Sequence, residues 1–366
     1  MNAVRLRHAR LVAPLLAGVL AAGCAGTVGG DKAGGLAHVA APVVLRLADT
    51  PYDVSDSPAV KYFVRRVEQL SRGTIRIAVT NQWGSYAPDS EVQVIHAVAS
   101  GRFDLGWVGS RVFDTVGVTS FDALSAPMLI DNYQLEKAVV ASSIPSQMLT
   151  GIRRVGLAGL GVFGAALRYP ISVRRALLAP SDWQKIRFGT YRSGVQEDAI
   201  RALGAEPVEA FATDRTDDLA SGKIQAFELD LTRYLRAVGV PLAKYVSLNV
   251  PLWPEFDVLV ANPARLRSLG AQQRRWMREA AADAASRSVE LAQDTASVNE
   301  RACRQGARFR YASPADLAAL RRAFTVVYRQ LARNPRTSAS LDQIQTLKDA
   351  PPLGPSVALP RSCSAG

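Results

Sequence analysis

The sequence predicts an α/β protein of two lobes, in which mostly parallel sheets are joined by crossing strands and a long helix braces both lobes. Three observations carry this. Short apolar runs alternate with amphipathic helical patterns from residue 43 onward, the order that builds parallel sheet. About 320 residues follow the N-terminal leader and tether, enough for two domains at ~100–200 residues each. From Gln272 to about Arg304 an Ala- and Arg-rich helical pattern runs for over thirty residues, longer than one small domain needs.

At the N-terminus, Arg5, Arg7 and Arg10 precede the apolar run Leu11 to Ala22, and Leu20-Ala21-Ala22-Gly23-Cys24 forms a lipobox in which Cys24 becomes the acylated first residue. The run is too short for a bilayer core, which needs ~20 helical residues. Residues 1–23 are therefore expected to be a lipoprotein signal peptide. Residues 24–42, rich in Gly and Ala, are expected to be a flexible tether with a reach on the order of 20 Å.

Val43 to Ala48, Ile75 to Val79 and Phe103 to Val108 read as strands. Between the first two, Val60, Phe63, Val64, Val67 and Leu70 make one face of a helix that Ser71-Arg72-Gly73 ends. Glu91 to Ser100 reads as a second helix, stopped by Gly101 and carrying His96. Gly159, Gly161 and Gly164 spell the G-x-G-x-x-G of a dinucleotide-binding turn, with Asp182 eighteen residues further on. That turn needs a helix to start within the glycines, and Pro170 with the β-branched residues after it leaves little room for one, so the segment reads as a glycine-rich interdomain strand.

Lys185-Ile186-Arg187-Phe188 reads as a short buried strand, followed by a helix that Ser193 and Gln196 open as a capping box and Gly204 closes. An arginine at the end of such a strand projects into the crevice where open α/β sheets hold ligands, and its planar fork matches a carboxylate. Tyr245 to Asn249 and Asp257 to Ala261 read as strands crossing back to the first lobe. From Asn334 the chain reads as a tail, with Pro351, Pro352, Pro355 and Pro360 opposing further helix. The expected organisation is lobe 1 over 43–165, with 250–290 returning to it, lobe 2 over 166–249, with 291–335 packing on it, and a Pro-rich tail over 336–366.

Composition narrows the function. Net charge falls from +12 to +9 once residues 1–23, with three arginines and no acids, are removed. A basic body draws anions to a cleft, whereas nucleic-acid binding is disfavoured because the arginines are dispersed and aromatics are 7% of the chain. His8 lies in the leader and His38 in the tether, which leaves His96 alone in the body. No G-x-S-x-G elbow, P-loop or metal-spaced cluster occurs, so neither an enzyme nor a cofactor is expected. Beyond Cys24, an oxidising compartment permits a disulfide between Cys303 and Cys363, with two free thiols as the alternative.

Pro180, Asp182, Lys185, Ile186 and Arg187, then Leu203 to Val208, then Leu219, Gly222 and Glu228 resemble three motifs of the solute-binding proteins of tripartite ATP-independent periplasmic (TRAP) transporters, of the dicarboxylate-binding type. The order of segments extends the resemblance over roughly residues 43 to 335. Departures are a segment two residues shorter before Arg187, Gln225-Ala226 for Asp-Gly, and Leu229 where an Asn often stands. The resemblance implies a two-lobed periplasmic-binding-protein-like fold. It also implies a receptor outside the cytoplasm that binds a small anionic carboxylate and passes it to membrane permease subunits, and the lipobox adds an anchor through the lipid on Cys24. A receptor for an ATP-driven importer, a sensor for a signalling partner and an exported enzyme are the alternatives.

By position, the resemblance puts the carboxylate clamp on Arg187 and its supporting arginine on Arg168, with Phe211 packing either on the ligand or in the core, Glu228 either taking a polar ligand group or pairing with a cleft arginine, and Asn249 donating to a carboxylate oxygen. Trp107, Tyr52 and Asp49, at the ends of first-lobe strands, are the expected contributions of the opposite wall.

Overall fold

The computed structural model describes residues 41–50, 57–85, 87–210, 214–237 and 240–351. The expectations for Cys24, the tether, Tyr52, Phe211 and Cys363 fall outside these residues.

Strand β1 (Val43–Asp49) turns Leu45 and Leu47 inward. Helix α1 (Pro58–Ser71) begins with proline in its first turn, where the missing N–H has no partner to lose, and buries Val60, Phe63 and Val67. It stops where Arg72 and Gly73 take left-handed conformations, with φ 51° and 78°. Strand β2 (Ile75–Thr80), helix α2 (Ser90–Ala99) and strand β3 (Leu105–Gly109) follow within a residue or two of their expected places. Helices α3 (Tyr133–Ala141) and α4 (Ile144–Leu149) lead into β4 (Ala158–Ser172), a strand of 15 residues that contains the three glycines of the dinucleotide-like pattern. Those glycines serve close packing: a Cβ at Gly159 would stand 2.4 Å from Leu149, and one at Gly164 would stand 2.5 Å from Val289.

The second lobe alternates α5 (Pro180–Trp183), β5 (Arg187–Thr190), α6 (Gly194–Ala202), β6 (Glu206–Glu209), α7 (Asp214–Ala220), β7 (Ala226–Leu229) and α8 (Leu231–Ala237). The Ser193 hydroxyl accepts the Gln196 N–H at 3.4 Å, and Gly204 sits at φ 82° just past the helix, as the sequence predicts. Strands β8 (Tyr245–Ser247) and β9 (Trp253–Ala261) come next, then α9 (Pro263–Ser268), α10 (Ala271–Ala292), α11 (Ala296–Arg304), β10 (Arg308–Arg310), α12 (Pro314–Ala323), α13 (Thr325–Leu331) and α14 (Pro335–Asp349).

The sheet runs β2-β1-β3-β9-β4-β7-β5-β6, with β8 on β4 and β10 on β8. Pairings within each lobe are parallel: β1 with β2 and β3, β5 with β6 and β7, β8 with β10. Every antiparallel pairing among the described residues involves β4 or β9, the strands that pass between lobes. The first part of β4 pairs with β9, and Tyr169 to Ser172 pair with β7. A register shift between Gly164 and Leu167 marks the passage, and Arg168 follows it directly.

Two expectations need correction. The helix predicted from Gln272 to Arg304 is two helices, because residues 293–295 serve tertiary contacts instead of continuing the spiral. The Asp294 carboxylate accepts the N–H groups of Leu231 and Thr232, both at 3.0 Å, and its own N–H donates to the Tyr133 hydroxyl. The tail from Asn334 begins as helix α14, since Pro335 occupies a first-turn position, Asn334 caps the helix, and Leu341 and Ile344 are buried. Cys303, at the end of α11, is disulfide-bonded. Both other cysteines lie outside the described residues, so its pairing with Cys363 stays an expectation.

Phe63 on α1 is fully buried in the cluster that also holds Met277, Ala280 and Ala284 of α10. Phe63→Ala is expected to lower unfolding free energy by about 3–5 kcal/mol. Chemical denaturation measures this, and a loss under about 1 kcal/mol would contradict the packing.

Candidate binding site

The crossover of β4 carries a buried cation. Arg168 is 3% exposed, and its Nη2 donates to Glu255 Oε2, on β9. Glu228, on β7, stands 3.7 Å from its Nε, and Asp230, just after β7, 3.7 Å from its Nη1. Arg233, in the first turn of α8, donates to the same Glu255 oxygen and to Asp230 at 3.4 Å. The strand order dictates this gathering, since β7 and β9 flank β4 on either side.

Two more arginines converge from strand and helix ends. Arg111, just past the C-terminal end of β3, donates to Glu91 at 2.5 Å. Arg215, in the first turn of α7, is 2% exposed and donates to the Ala210 carbonyl at 3.3 Å. All three guanidinium groups stand over the Tyr191 ring, which follows β5: Arg111 at 4.5 Å, Arg215 at 5.2 Å and Arg168 at 5.3 Å from its centroid.

Between them lies a cavity lined by Arg111, Arg168, Tyr191, Gln196, Glu228 and Glu255, with a water-accessible volume of about 10 Å³. That is room for about one water molecule. Several polar atoms in its walls have no hydrogen-bond partner, namely Arg168 Nη1, Arg111 Nε, Gln196 Oε1 and Glu228 Oε2. Buried polar groups are ordinarily satisfied, so these unmet donors and acceptors make the cavity the candidate site for a polar group. Beyond the Arg233–Glu255 pair lies a second cavity of about 260 Å³ by the same measure, lined among others by Trp107, Gly164, Asp230, Thr232, Arg233 and Asp257.

Electrostatics follow from this crowding. Burial pushes the Glu228 carboxyl up to about 7 against the pull of Arg168, Arg215 and Arg111. Burial and then the Glu255 charge push Asp257 up to about 8. At Glu255 burial acts upward too, but Arg168, Arg233 and Arg111 outweigh it and hold the carboxyl well below its usual range. Burial likewise opposes ionisation of Tyr191, and Arg215 and Arg168 more than reverse this, so its hydroxyl is lowered.

Of the residues expected at the site, Arg168 and Glu228 line the inner cavity and Trp107 the outer one. Arg187 lines neither. It is exposed at the first residue of β5, its backbone N–H bonded to Gln225 and its guanidinium to the Gly222 carbonyl. Ligands of α/β sheets meet the carboxyl ends of strands, and the carboxyl end of β5 is Thr190, followed by Tyr191. Asn249 is spent on backbone, donating to the Ala312 carbonyl at 2.9 Å and accepting its N–H at 2.8 Å. Asp49 is fully buried at the end of β1 and lines neither cavity. Arg111, Tyr191, Arg215, Arg233 and Glu255, which line or adjoin the cavity, are not among the residues expected from the sequence. The readable signals are charge or ring at a strand's carboxyl end, for Arg111 and Tyr191, and an acid between Pro254 and Phe256 at the start of a strand, for Glu255.

Comparison with known proteins agrees with this architecture. The model of the family described as bacterial extracellular solute-binding protein, family 7, matches residues 52–334, and the chain belongs to that family. It superposes with a TM-score of 0.74 on a TRAP periplasmic solute-binding protein from Ralstonia eutropha, solved with (S)-2-acetolactate, at 18% identity over 83% of this chain and 98% of that one. A TRAP solute-binding protein from Chromohalobacter salexigens with bound D-glucuronate gives 0.71 at 18% identity, over 83% and 99%. The sugar acid binding protein of Advenella mimigardefordensis, in complex with galactonate, gives 0.72 at 18%, over 84% and 99%. At these identities the likeness is one of fold: two lobes joined by crossing strands. Protein y4mM of Sinorhizobium fredii is 22% identical over 57% of this chain, and the match spans 38% of y4mM. No helix among the described residues is long and apolar enough to cross a membrane.

The raised acids set a pH dependence. Glu228 at about 7, Asp257 at about 8 and Asp294 at about 7 hold protons in the folded chain that the unfolded chain releases near pH 4 to 4.5. Stability from these groups is therefore greatest below about pH 4 and falls as pH rises from there to about 8. Thermal unfolding at pH 5.5 and 8.5 at equal ionic strength is expected to give the higher Tm at pH 5.5, and a Tm that rises across this window would refute the assignment.

Proposed function

We propose that the mature protein is a lipid-anchored extracytoplasmic receptor that binds a small organic acid between its lobes and delivers it to a TRAP-type membrane permease. The observation that carries this is the convergence of Arg168, Arg111 and Arg215 on Tyr191 at the strand crossover, with unpartnered N–H groups on the first two inside the cavity. Such donors suit a carboxylate. Glu228 Oε2 and Gln196 Oε1 suit a hydroxyl beside it. The acids and sugar acids bound by the structural neighbours support the same ligand class. Because the cavity lies where β4 leaves one lobe for the other, a ligand there touches both lobes and favours their closure, the form a permease can distinguish. The leader arginines and the lipobox at Cys24 support the anchor.

A thermal-shift panel of D-glucuronate, D-galacturonate, galactonate and (S)-2-acetolactate is expected to contain at least one stabilising acid, by about 2.7 kcal/mol at a hundredfold excess over Kd, with no turnover. Calorimetric titration of that acid should lose tenfold or more in affinity in Arg168→Lys, about 1.4 kcal/mol, because lysine keeps the charge without the fork. Arg187→Ala, at an exposed site, should stay within about fivefold, and the reverse pattern would return the clamp to Arg187. Cys24→Ser is expected to abolish fatty-acid labelling, and label that persists would defeat the anchor.

A further inference from the structure

The inner cavity has room for about one water, which excludes even acetate unless a side chain moves. The acids around Arg168 differ in what moving would cost them. Glu228 and Asp230 are 1% and 3% exposed and stand 3.7 Å from its guanidinium, beyond hydrogen-bond reach. Glu255 alone is hydrogen-bonded to it, and at 13% side-chain exposure it alone of the three reaches solvent. Its carboxylate also has a second cation, since Arg233, 30% exposed, donates to the same oxygen, and although Asp230 shares Arg233 too, it is not hydrogen-bonded to Arg168 and stays buried. Glu255 can therefore leave Arg168 without becoming an unpaired buried charge, the cost that otherwise locks such pairs. On the far side of Arg233 the outer cavity, of about 260 Å³, gives the pair room to move. The backbone there is also irregular: Glu255 lies between Pro254 and Phe256, opposite the register shift of β4.

We propose that Glu255 is an internal stand-in for the ligand's carboxylate. It occupies the fork of Arg168, an incoming acid binds by replacing it there, and Glu255 withdraws onto Arg233, so this residue sets how tightly acids bind. The inference rests on the reading that Arg168 receives the ligand. It adds that affinity is the difference between two carboxylates competing for one guanidinium, so that removing the internal one exposes the fork to any small acid.

The test uses the mature chain and acetate as the probe, with chloride at equal ionic strength as the reference. Wild type is expected to show no difference in Tm between the two salts. Glu255→Ala, which leaves a carboxylate-sized gap beside Arg168 and Arg233, is expected to gain roughly 2 °C or more in acetate, saturably, and to lose that gain when Arg168→Lys is added. Glu255→Gln keeps the side-chain volume while removing the charge, and is expected to show a smaller acetate response; it decides the matter if Glu255→Ala does not fold. If neither variant responds to acetate more than wild type, or if the response survives Arg168→Lys, Glu255 does not hold the ligand's place. The acid panel on wild type separates the two readings. A panel with no binder beside an acetate-responsive Glu255→Ala sinks the receptor and keeps the exchange, whereas a binder beside unresponsive variants sinks the exchange alone.

Discussion

A guanidinium buried at 3% exposure at the one place where β4 changes lobes is the constraint on which the rest of the site depends. Taking such a charge out of water costs several kcal/mol unless partners surround it. The partners come from both flanking strands, Glu228 on β7 and Glu255 on β9, with Asp230 one step beyond β7. Arg111, Arg215 and Arg233 add to the positive charge facing these acids, yet at Glu228 burial still opposes ionisation. Burial outweighs the pull of Arg168, Arg215 and Arg111 and lifts Glu228 to about 7, so that the carboxyl is partly protonated near neutrality.

The location matters as much as the charge. Arg168 sits on the strand that crosses between the lobes, next to the register shift where β4 changes partners. Tyr191, at the carboxyl end of β5, and Arg111, past the end of β3, bring one wall from each lobe to the same ring-and-guanidinium stack. Contact with both walls is what makes a binder's affinity depend on lobe position. A pocket within one lobe would report nothing about closure.

Much of the fold was legible from local pattern. The face of α1, the strands β1 to β3 and the cap and glycine stop of α6 follow from periodicity and end chemistry that act within a few residues. Where prediction failed, distant contacts had overruled local preference. Residues 293–295 abandon a good helical pattern because Asp294 meets the N–H groups at the start of α8. The expected tail opens as a helix because Asn334 caps it, Pro335 fits its first turn, and Leu341 and Ile344 find the core.

By itself the sequence determined the two-lobed α/β class, the dinucleotide pattern's true nature as a strand, and a set of arginines suited to carboxylates. Only the tertiary structure decided which of them face the cavity. Arg168 and Arg187 both read as strand arginines nineteen residues apart, yet one is buried among three acids and the other is exposed. The physical reason is that a strand's local pattern gives its direction and its faces, whereas burial of a charge is set by what lies across the sheet. For Arg168 those neighbours, Glu228 and Glu255, are 60 and 87 residues away in sequence, and no local pattern carries that register.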